Sequence, residues 1–237
     1  MSNFYSKLAP YYDHIYSELD YRSQAVRVHE IIQEFKKTGG NRLLDVACGT
    51  GTHIKYLVDT YEATGFDLSS EMLVVAREKC PSVEFIQGNM VDLNLGRKFD
   101  IITCLFGSIG YLTKEGDLVK TIKHFAEHIV TGGVVIIEPM FTKETYHEGS
   151  IGISCVDLPE IKIARVNATK RVGEIAYLNF EFLISTRDNG IEHFMDPSPI
   201  GLFSRNTFLS IMADNRLSTN FVEPGLVKEG FFIGVKQ

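Results

Sequence analysis

A glycine-containing turn between two segments of different periodicity is the most constraining feature of the sequence. The segment Arg42–Cys48 (RLLDVAC) is typical of a buried strand, and Thr52–Tyr61 is typical of a helix. Between them, Gly49 and Gly51 allow backbone conformations and a close ligand approach that a β-carbon would obstruct. The first turn of the helix offers free N–H groups to an anionic group. Together these segments predict the first unit of an α/β fold, with a ligand at the turn.

Strands and helices alternate from residue 42 to about residue 138, which predicts a parallel sheet with crossover helices. The remaining strands of this part are predicted over Glu62–Leu68, Val83–Gln87, Asp100–Leu105 and Val134–Glu138. Helices are predicted over Glu71–Cys80, after Ser69 or Ser70 as N-cap, and over Glu115–Val130, ended by Thr131-Gly132-Gly133. Pro139 is expected to end the fifth strand, because proline has no N–H for the ladder.

The C-terminal end predicts a reversal in the sheet. Leu217–Val222 and Phe231–Lys236 both have strand character, and only the eight residues Glu223–Gly230 separate them. A parallel crossover needs about a dozen residues or more, so these two strands should pair antiparallel. The predicted fold class is therefore α/β, with a Rossmann-like, seven-stranded, mostly parallel sheet and a reversed C-terminal strand.

Two regions outside the repeating pattern are predicted to cover the open end of this sheet. Residues 1–38 should form two helices, the second with Ala25, Val28, Ile32 and Phe35 facing inward and Gly39 near its C-cap. Residues from about 145 to 203 should form an antiparallel β insertion, with strands in Cys155–Leu158, Lys162–Thr169, Ile175–Ser185 and Ile191–Phe194 and a hairpin turn at Asp188-Asn189-Gly190. We expect one domain over residues 1–237, with residues 1–38 as a helical lid.

Composition restricts the function classes. The formal net charge of −6 and the absence of a basic run argue against a nucleic-acid partner. No apolar run approaches the roughly 18 to 20 residues that span a bilayer, and the N-terminus lacks a signal-peptide core, so we expect no membrane partner and a cytoplasmic location. The four cysteines, which are Cys48, Cys80, Cys104 and Cys155, stand too far apart to indicate a zinc or redox centre.

Polar residues follow the second and third predicted strands. Asp67 closes the second strand 16 residues after Gly51, where a carboxylate can accept hydrogen bonds from two ribose hydroxyls. Asn89 and Met90 close the third strand, where an amide oxygen and a backbone N–H can bind an adenine ring. A solvated strand-end Asp67 and a turn-forming Asn89 are the simpler alternatives.

A nicotinamide cofactor is the main competing ligand for the glycine turn. Its fingerprint, G-x-G-x-x-G, fails here, because the sixth position counted from Gly49 is Ile54, and counted from Ala47 the first glycine is missing. A turn that merely connects strand to helix is the remaining alternative.

The order of glycine turn, acidic residue, polar residue after the third strand and terminal reversed strand resembles class I S-adenosylmethionine (SAM)-dependent methyltransferases, over about residues 40–237. The segments LLDVACGTGTH, GSIGY, GGVVIIEP and EGFFIGVK, with the N-terminal LAPYYDHIY, are similar to one subfamily. Its members are N,N-dimethyltransferases that act on nucleotide-linked amino sugars. This resemblance covers nearly the whole chain.

The resemblance implies SAM as cofactor. Asp45, Ala47, Gly49 and Gly51 would line its methionine end, Asp67 would hold the ribose, and Asn89 and Met90 would hold the adenine. Further cofactor contacts are expected at Tyr16, Leu68 and Leu105. The subfamily usually has Asp where this chain has Asn89, and both side chains accept hydrogen bonds.

The resemblance also implies a small-molecule acceptor, with contacts expected at Tyr12, Ser108 and Tyr111. His193 of the insertion is a further candidate contact, for which a structural role is the simpler alternative. Tyr111 stands where the subfamily has a His near the acceptor amine. A phenol with a pKa near 10 is a poor base at neutral pH, so Tyr111 is expected to orient the acceptor. Glu229 stands where an Arg would meet the diphosphate of the sugar nucleotide, and Lys228 is the candidate substitute. Without it, an acceptor that lacks a diphosphate is favoured.

The predicted activity is N-methylation of an amino sugar by positioning, with no obligatory catalytic dyad. One alternative is O-methylation, in which Tyr111, Glu138 or His193 would help to remove a hydroxyl proton. An NAD-dependent oxidoreductase and a non-catalytic SAM-binding module are further alternatives. The exposed sheet edge of the insertion makes a homodimer an additional expectation.

Five of the ten tyrosines fall within the first 21 residues, namely Tyr5, Tyr11, Tyr12, Tyr16 and Tyr21. Such aromatic density suits a lid over the cofactor. Simple packing of the first helix on the sheet is the alternative for each of these side chains except Tyr16, which the resemblance places at the cofactor.

Overall fold

The computed structural model of the chain describes residues 4–226 and 229–237. Its first part consists of α1 (Phe4–Ile15), α2 (Tyr21–Phe35), β1 (Arg42–Val46), α3 (Thr52–Leu57), β2 (Glu62–Asp67), α4 (Ser70–Lys79), β3 (Glu84–Gln87), β4 (Phe99–Gly107), α5 (Glu115–His128) and β5 (Ile129–Pro139). The second part consists of β6 (Ile151–Asp157), β7 (Ile161–Val172), β8 (Ile175–Thr186), β9 (Gly190–Gly201), α6 (Arg205–Asp214), β10 (Leu217–Val222) and β11 (Phe231–Lys236).

The main sheet has seven strands in the order β10-β11-β5-β4-β1-β2-β3. Every pair is parallel except those of β11, which runs antiparallel to both β10 and β5. This arrangement confirms the predicted fold class, including the reversed C-terminal strand. Because β1 lies between β4 and β2, the strand order changes direction beside β1, and ligands of open α/β sheets bind at such a point.

Helices cover both faces of this sheet because each presents one apolar stripe. On one face α2 buries Val28 and Ile32 against Leu43 and Ile101. The opposite face is covered by a cluster that includes Phe125 of α5. Each fully buried large apolar side chain contributes about 1.5 to 3 kcal/mol relative to an exposed one, so these stripes fix the layers.

The four strands β6 to β9 form a separate antiparallel sheet in chain order. Its inner face packs Ile163, Phe182 and Ile184 against Leu8 of α1. The two regions that fall outside the repeating pattern of the sequence therefore contact each other. The predicted hairpin turn is present, since Gly190 pairs with Thr186 and has a φ of +67°.

Several predicted boundaries were wrong. The third helix ends at Leu57 rather than at Tyr61, and α2 ends at Phe35 with Lys36 as C-cap, so Gly39 lies beyond the cap. The glycine pair Gly132-Gly133 lies inside β5, since α5 already ends at His128. The fifth strand begins earlier than predicted, at Ile129, and ends at Pro139. Pro139 is itself the last residue of the strand and pairs with Gly107, where the missing N–H removes no interior ladder bond.

Within residues 4–226 and 229–237, no helix combines the length and the apolar character that crossing a membrane requires. All four cysteines are free thiols. The described part of the chain also contains no group of three or more His, Cys, Asp or Glu side chains arranged to hold a metal ion.

Candidate functional site

The carboxyl ends of β1, β2 and β4 meet at one edge of the main sheet, because these three strands are parallel neighbours. Asp45 of β1 lies beside Thr103 of β4, and Asp67 is the last residue of β2. Leu105 lies in β4 and is buried. The structure thus brings three of the sequence-predicted cofactor residues to the same edge.

The glycine turn that follows β1 has a backbone that few side chains would accept. Gly49 has a φ of +55°, Gly51 has a φ of +71°, and Ala47 also lies in the left-handed region with a φ of +58°. A β-carbon on Gly51 would lie 3.3 Å from both Ala76 and Phe85. The turn therefore needs glycine at Gly51 for conformation and for space.

Asp67 holds this turn in place. Its Oδ2 accepts a hydrogen bond of 2.8 Å from the Gly49 N–H, and its Oδ1 accepts one of 2.8 Å from the Ser69 N–H. Burial raises the pKa of Asp67 above its ordinary value, against the lowering effect of these N–H donors. A ligand at this edge would therefore meet a carboxylate whose orientation is already fixed.

Asp45 is a buried acid that receives its hydrogen bond from a neutral hydroxyl group. Its side chain is 3% exposed, and its Oδ1 accepts a hydrogen bond of 2.8 Å from the Thr103 Oγ1. Burial raises the pKa of Asp45 to about 7, and the nearby Asp67 adds to this increase. Two acids so close together at the strand ends favour a ligand that brings a positive charge.

The sequence-predicted adenine residues lie beyond β3. Asn89 caps a turn of 3₁₀-helix over Met90–Asp92, and its Oδ1 accepts a hydrogen bond of 3.1 Å from the Val91 N–H. This is the turn-forming role that the sequence left open. An amide oxygen has a second lone pair, which leaves one acceptor site for a ligand. Leu68 follows β2 and is 44% exposed, so its apolar side chain is available to cover a bound ring.

A polar latch, not predicted from the sequence, fastens α1 across the glycine turn. Asp13 of α1 accepts hydrogen bonds from Thr50 (2.7 Å) and Thr52 (3.2 Å), which flank Gly51. Lys79 at the end of α4 forms an ion pair of 2.7 Å with the other oxygen of Asp13. The first helix is therefore held over the strand ends.

The tyrosines of α1 lie at the same edge. The rings of Tyr12 and Tyr16 are 4.8 Å apart between centroids, and Tyr16 meets Phe106 of β4 edge-on at 5.4 Å. Tyr5 packs edge-on against Tyr111 at 5.7 Å, and their hydroxyl groups are hydrogen-bonded to each other. Burial raises the pKa of each of these tyrosines, that of Tyr111 to about 12. All are neutral phenols at neutral pH.

Glu138 supports the backbone beside this aromatic cluster. Phe106 has a φ of +56°, an uncommon conformation for a large side chain, and its N–H donates a hydrogen bond of 2.8 Å to the Glu138 Oε2. The other oxygen of Glu138 accepts a hydrogen bond from the Leu226 N–H. Its side chain is fully buried. Because backbone donors occupy both oxygens, Glu138 is suited to holding the chain rather than to proton transfer.

The acceptor side is bordered by a short turn and by the inner face of the second sheet. Ser108 is half-buried and precedes a turn of 3₁₀-helix over Ile109–Tyr111. Across from Tyr111 lie Asp196 and Ser198 of β9, which are 1% and 3% exposed. Neither residue was predicted from the sequence, although residues 195, 197 and 199 between and beside them are more exposed, and such alternation is typical of a half-buried strand.

His193, which was expected to contact the acceptor, lies on the outer face of the second sheet. Side chains alternate along β9, so Phe194 and Asp196 point inward while His193 points outward. There the imidazole pairs at 2.5 Å with Glu181 of β8, and both side chains are about half exposed.

Two positions bear on a diphosphate in the acceptor. Lys228, the candidate substitute for an arginine, lies outside the described residues. Glu229, which stands where that arginine was expected, is 2% exposed, and its Oε2 has no hydrogen-bond partner among residues 4–226 and 229–237.

A surface groove of about 590 Å³ lies elsewhere, between α1 and the turn that joins β8 to β9. Its lining includes Pro10, Tyr11 and Asp188, and none of the residues at the strand ends. The convergence of acids and glycines at the strand ends, rather than the size of a groove, marks the candidate site.

Comparison with known proteins adds independent information. The family described as "Methyltransferase domain" matches residues 43–133. The chain is 31% identical over 237 residues to the dTDP-3-amino-3,6-dideoxy-alpha-D-glucopyranose N,N-dimethyltransferase of Streptomyces fradiae, covering 99% of this chain and 92% of the relative. It is 33% identical over 217 residues to the dTDP-3-amino-3,4,6-trideoxy-alpha-D-glucopyranose N,N-dimethyltransferase of Streptomyces venezuelae, covering 91% of each.

Solved structures agree with these relatives. DesVI of Streptomyces venezuelae superimposes with a TM-score of 0.90 at 32% identity, covering 95% of this chain and 97% of DesVI. The sugar N-methyltransferase KedS8 from Streptoalloteichus gives 0.87 at 30% identity, with 95% and 92% covered. SAM-bound CalS10, an amino pentose methyltransferase from Micromonospora echinaspora, gives 0.86 at 27% identity, with 95% and 96% covered.

Proposed function

The chain belongs to the family of SAM-dependent sugar N-methyltransferases, and from this premise we propose that it methylates the amino group of a nucleotide-linked amino sugar. It is a methyltransferase, and SAM is its cofactor. The amino-sugar acceptor is proposed from the names of the relatives. The proposal also includes a location in the cytoplasm, an acceptor that is not a nucleic acid and a homodimer formed through β6 to β9.

The single observation that carries the proposal is the pair of acids beside the glycine turn, of which Asp45 is buried and Asp67 is half-buried. Asp45 and Asp67 can take, respectively, the cationic amino group and the ribose hydroxyls of SAM, and the space beside Gly49, where a β-carbon would meet no atom within 4 Å, leaves the close approach open. The proposed cofactor contacts otherwise follow the sequence analysis, at Tyr16, Ala47, Gly49, Leu68, Asn89, Met90 and Leu105. The proposed acceptor contacts are Tyr12, Ser108 and Tyr111.

When bound, SAM supplies a methyl group that its sulfonium already activates. The residues of this chain then have to bind and orient, because well-aligned reactants account for most of such an acceleration. The neutral phenols of Tyr12 and Tyr16 present ring faces that suit a positive charge. The proton of the product ammonium can leave to water, so the site needs no general base.

The same geometry disfavours O-methylation. A hydroxyl acceptor needs a base, and the pKa of Tyr111 is about 12 because the phenol is buried. Backbone N–H groups occupy both oxygens of Glu138. His193 points away from the cleft. The three residues considered for proton removal are therefore unsuited to it, whereas a neutral amine needs none.

We expect S-adenosylhomocysteine to bind the purified protein in a calorimetric titration, and NAD to give no heat under the same conditions. Incubation with SAM and dTDP-3-amino-3,6-dideoxy-α-D-glucopyranose should then give methylated sugar nucleotide by mass spectrometry. Binding of NAD without S-adenosylhomocysteine would contradict the cofactor assignment. Cofactor binding without transfer to any amino-sugar nucleotide would contradict the acceptor assignment.

Replacing Tyr111 with phenylalanine is expected to lower kcat by about five-fold and to leave the affinity for S-adenosylhomocysteine unchanged. The reason is the loss of one hydrogen bond to the acceptor, which is worth about 1 kcal/mol. Steady-state kinetics with saturating SAM measure the effect. Tyr56→Phe, on a side chain that is 37% exposed on α3, is the control. Unchanged kinetics in Tyr111→Phe would remove this residue from the acceptor site.

A further inference from the structure

The inner face of the second sheet changes from apolar to polar along its strands. Near α1 it presents Ile163 and Ile184, which face each other across β7 and β8. Further along, Phe180 of β8 stands opposite Asp196 of β9, and Leu178 stands opposite Ser198. The carboxylate of Asp196 is 1% exposed. Asp196 and Ser198 thus form a buried polar patch at the end of an apolar face.

The polar part of this face meets the tyrosine cluster. The Ser198 Oγ donates a hydrogen bond to the Asp196 Oδ2, and Ser198 also interacts with the Tyr111 hydroxyl. The guanidinium of Arg165 lies 5.4 Å from the centre of the Tyr16 ring and also interacts with the Tyr16 hydroxyl group. The negative charge of Asp196 acts on both Tyr16 and Tyr111. Asp196 therefore lies on the acceptor side of the cleft, opposite the two cofactor-side acids.

We propose that Asp196 binds the amino group of the acceptor and directs its nitrogen toward the methyl group of the cofactor. This inference rests on the proposed function and names the contact that selects an amine. A carboxylate accepts hydrogen bonds from N–H groups, and it does so more strongly than a neutral acceptor. With the N–H bonds directed to Asp196, the nitrogen lone pair is left to face the sulfonium.

The transfer that this orientation serves is balanced without a further reactant. The nitrogen lone pair forms the new N–C bond, the C–S bond breaks, and its electron pair stays on sulfur as S-adenosylhomocysteine forms. The positive charge passes to the product ammonium, which loses its proton to water. The role of Asp196 is to orient the nucleophile, and Ser198 positions Asp196 through their hydrogen bond.

The test is Asp196→Asn, which keeps the shape of the side chain and an oxygen that can accept from Ser198. We expect kcat/KM for dTDP-3-amino-3,6-dideoxy-α-D-glucopyranose to fall by about 30-fold, the size of one lost hydrogen bond to a charged group. Binding of dTDP-6-deoxy-α-D-glucose, which differs only in carrying a hydroxyl in place of the amine, should weaken by no more than about five-fold, because a hydroxyl donates a single hydrogen bond. The preference of the protein for the amine should therefore fall by about six-fold or more, at unchanged affinity for S-adenosylhomocysteine.

The matched control is Ser198→Ala, which keeps the charge of Asp196 and should lower the preference by less than Asp196→Asn does, because the carboxylate remains to bind the amine. An undiminished preference in Asp196→Asn would overturn the proposal. Equal losses for both sugar nucleotides, together with a lower melting temperature, would also overturn it, because they would indicate a structural role.

Two further measurements keep the test decisive. If Asp196→Asn does not fold, Asp196→Ser is judged by the same preference. In the wild-type protein, the amino sugar must bind at least about ten-fold more tightly than dTDP-6-deoxy-α-D-glucose, and equal binding would contradict a role for Asp196. By contrast, a wild-type protein that methylates no amino-sugar nucleotide would contradict the proposed function itself.

Discussion

Replacing Asp67 with alanine should weaken the binding of S-adenosylhomocysteine by about 150-fold or more. In the proposed complex this carboxylate accepts hydrogen bonds from two ribose hydroxyls, and each such bond to a charged group is worth about 1.5 to 3 kcal/mol. Its loss also leaves the Gly49 N–H without the acceptor that lies 2.8 Å away in the structure. A loss of about 3 kcal/mol corresponds to about 150-fold in the dissociation constant.

Calorimetric titration of the variant measures this effect. Asp67→Asn is the graded comparison, since an amide keeps one acceptor oxygen and should lose less than the alanine variant. Asp59→Ala removes an exposed carboxylate after α3 and is the control for a change in net charge. Equal affinity in Asp67→Ala and wild type would remove Asp67 from the cofactor site.

The parts of the fold that were predictable depend on short stretches of sequence. The antiparallel pair β10 and β11 follows from strand-like segments joined by a connection too short for a crossover, and the structure has both strands at the predicted bounds. The N-cap role of Ser69 is likewise local, since its Oγ accepts a hydrogen bond of 3.2 Å from the Met72 N–H. Each depends on residues that are neighbours in the chain.

The latch on α1 could not be predicted in this way. Its members come from three separate elements, with Asp13 in α1, Thr50 in the glycine turn and Lys79 at the end of α4. No periodicity or spacing connects an acid in the first helix with a turn 37 positions later. Only the packing of α1 over the strand ends brings these groups together.

The full length of β9 was also not predicted. The predicted strand ended at Phe194, whereas in the structure β9 continues to Gly201. It is the last strand of its sheet, and an edge strand tolerates proline, here Pro197 and Pro199, where the N–H would face away from the neighbouring strand. The part of the strand that carries Asp196 therefore lay outside the prediction.

The second large effect concerns Asp45 and can be measured without a ligand. Burial raises the pKa of Asp45 to about 7 in the folded protein, whereas an aspartate in an unfolded chain has a pKa near 4. The folded state thus binds the proton more tightly. The stability that the protonated acid contributes is fully present below about pH 4 and is lost as the pH rises through about 7. Since one pKa unit corresponds to about 1.4 kcal/mol, the loss can reach about 4 kcal/mol.

Replacing Asp45 with asparagine removes this term and keeps an oxygen for the hydrogen bond from Thr103. Denaturant unfolding should therefore show Asp45→Asn to be more stable than the wild type at pH 8, by up to about 4 kcal/mol, with the difference vanishing toward pH 4. Thr103→Val is the comparison that removes the hydrogen bond and keeps the acid. A stability difference that does not change between pH 4 and pH 8 would show that folding does not raise the pKa of Asp45.

The protonation of Asp45 should also affect cofactor binding, but there the ionised form of the acid is the favourable one. Only the ionised form of Asp45 can pair with the cationic amino group of S-adenosylhomocysteine, so a pKa of about 7 leaves about a tenth of the protein competent at pH 6. The affinity of the wild type should therefore rise about ten-fold from pH 6 to pH 8, whereas that of Asp45→Asn should be weak and nearly constant over this range. Titrations at both pH values measure it. A wild-type affinity that does not depend on pH would contradict the pairing, and a rise in both proteins would assign the proton to another group.

If both expectations hold, Asp45 destabilises the free protein at neutral pH and is retained because the cofactor needs its charge, as stability is often lost where a site must bind.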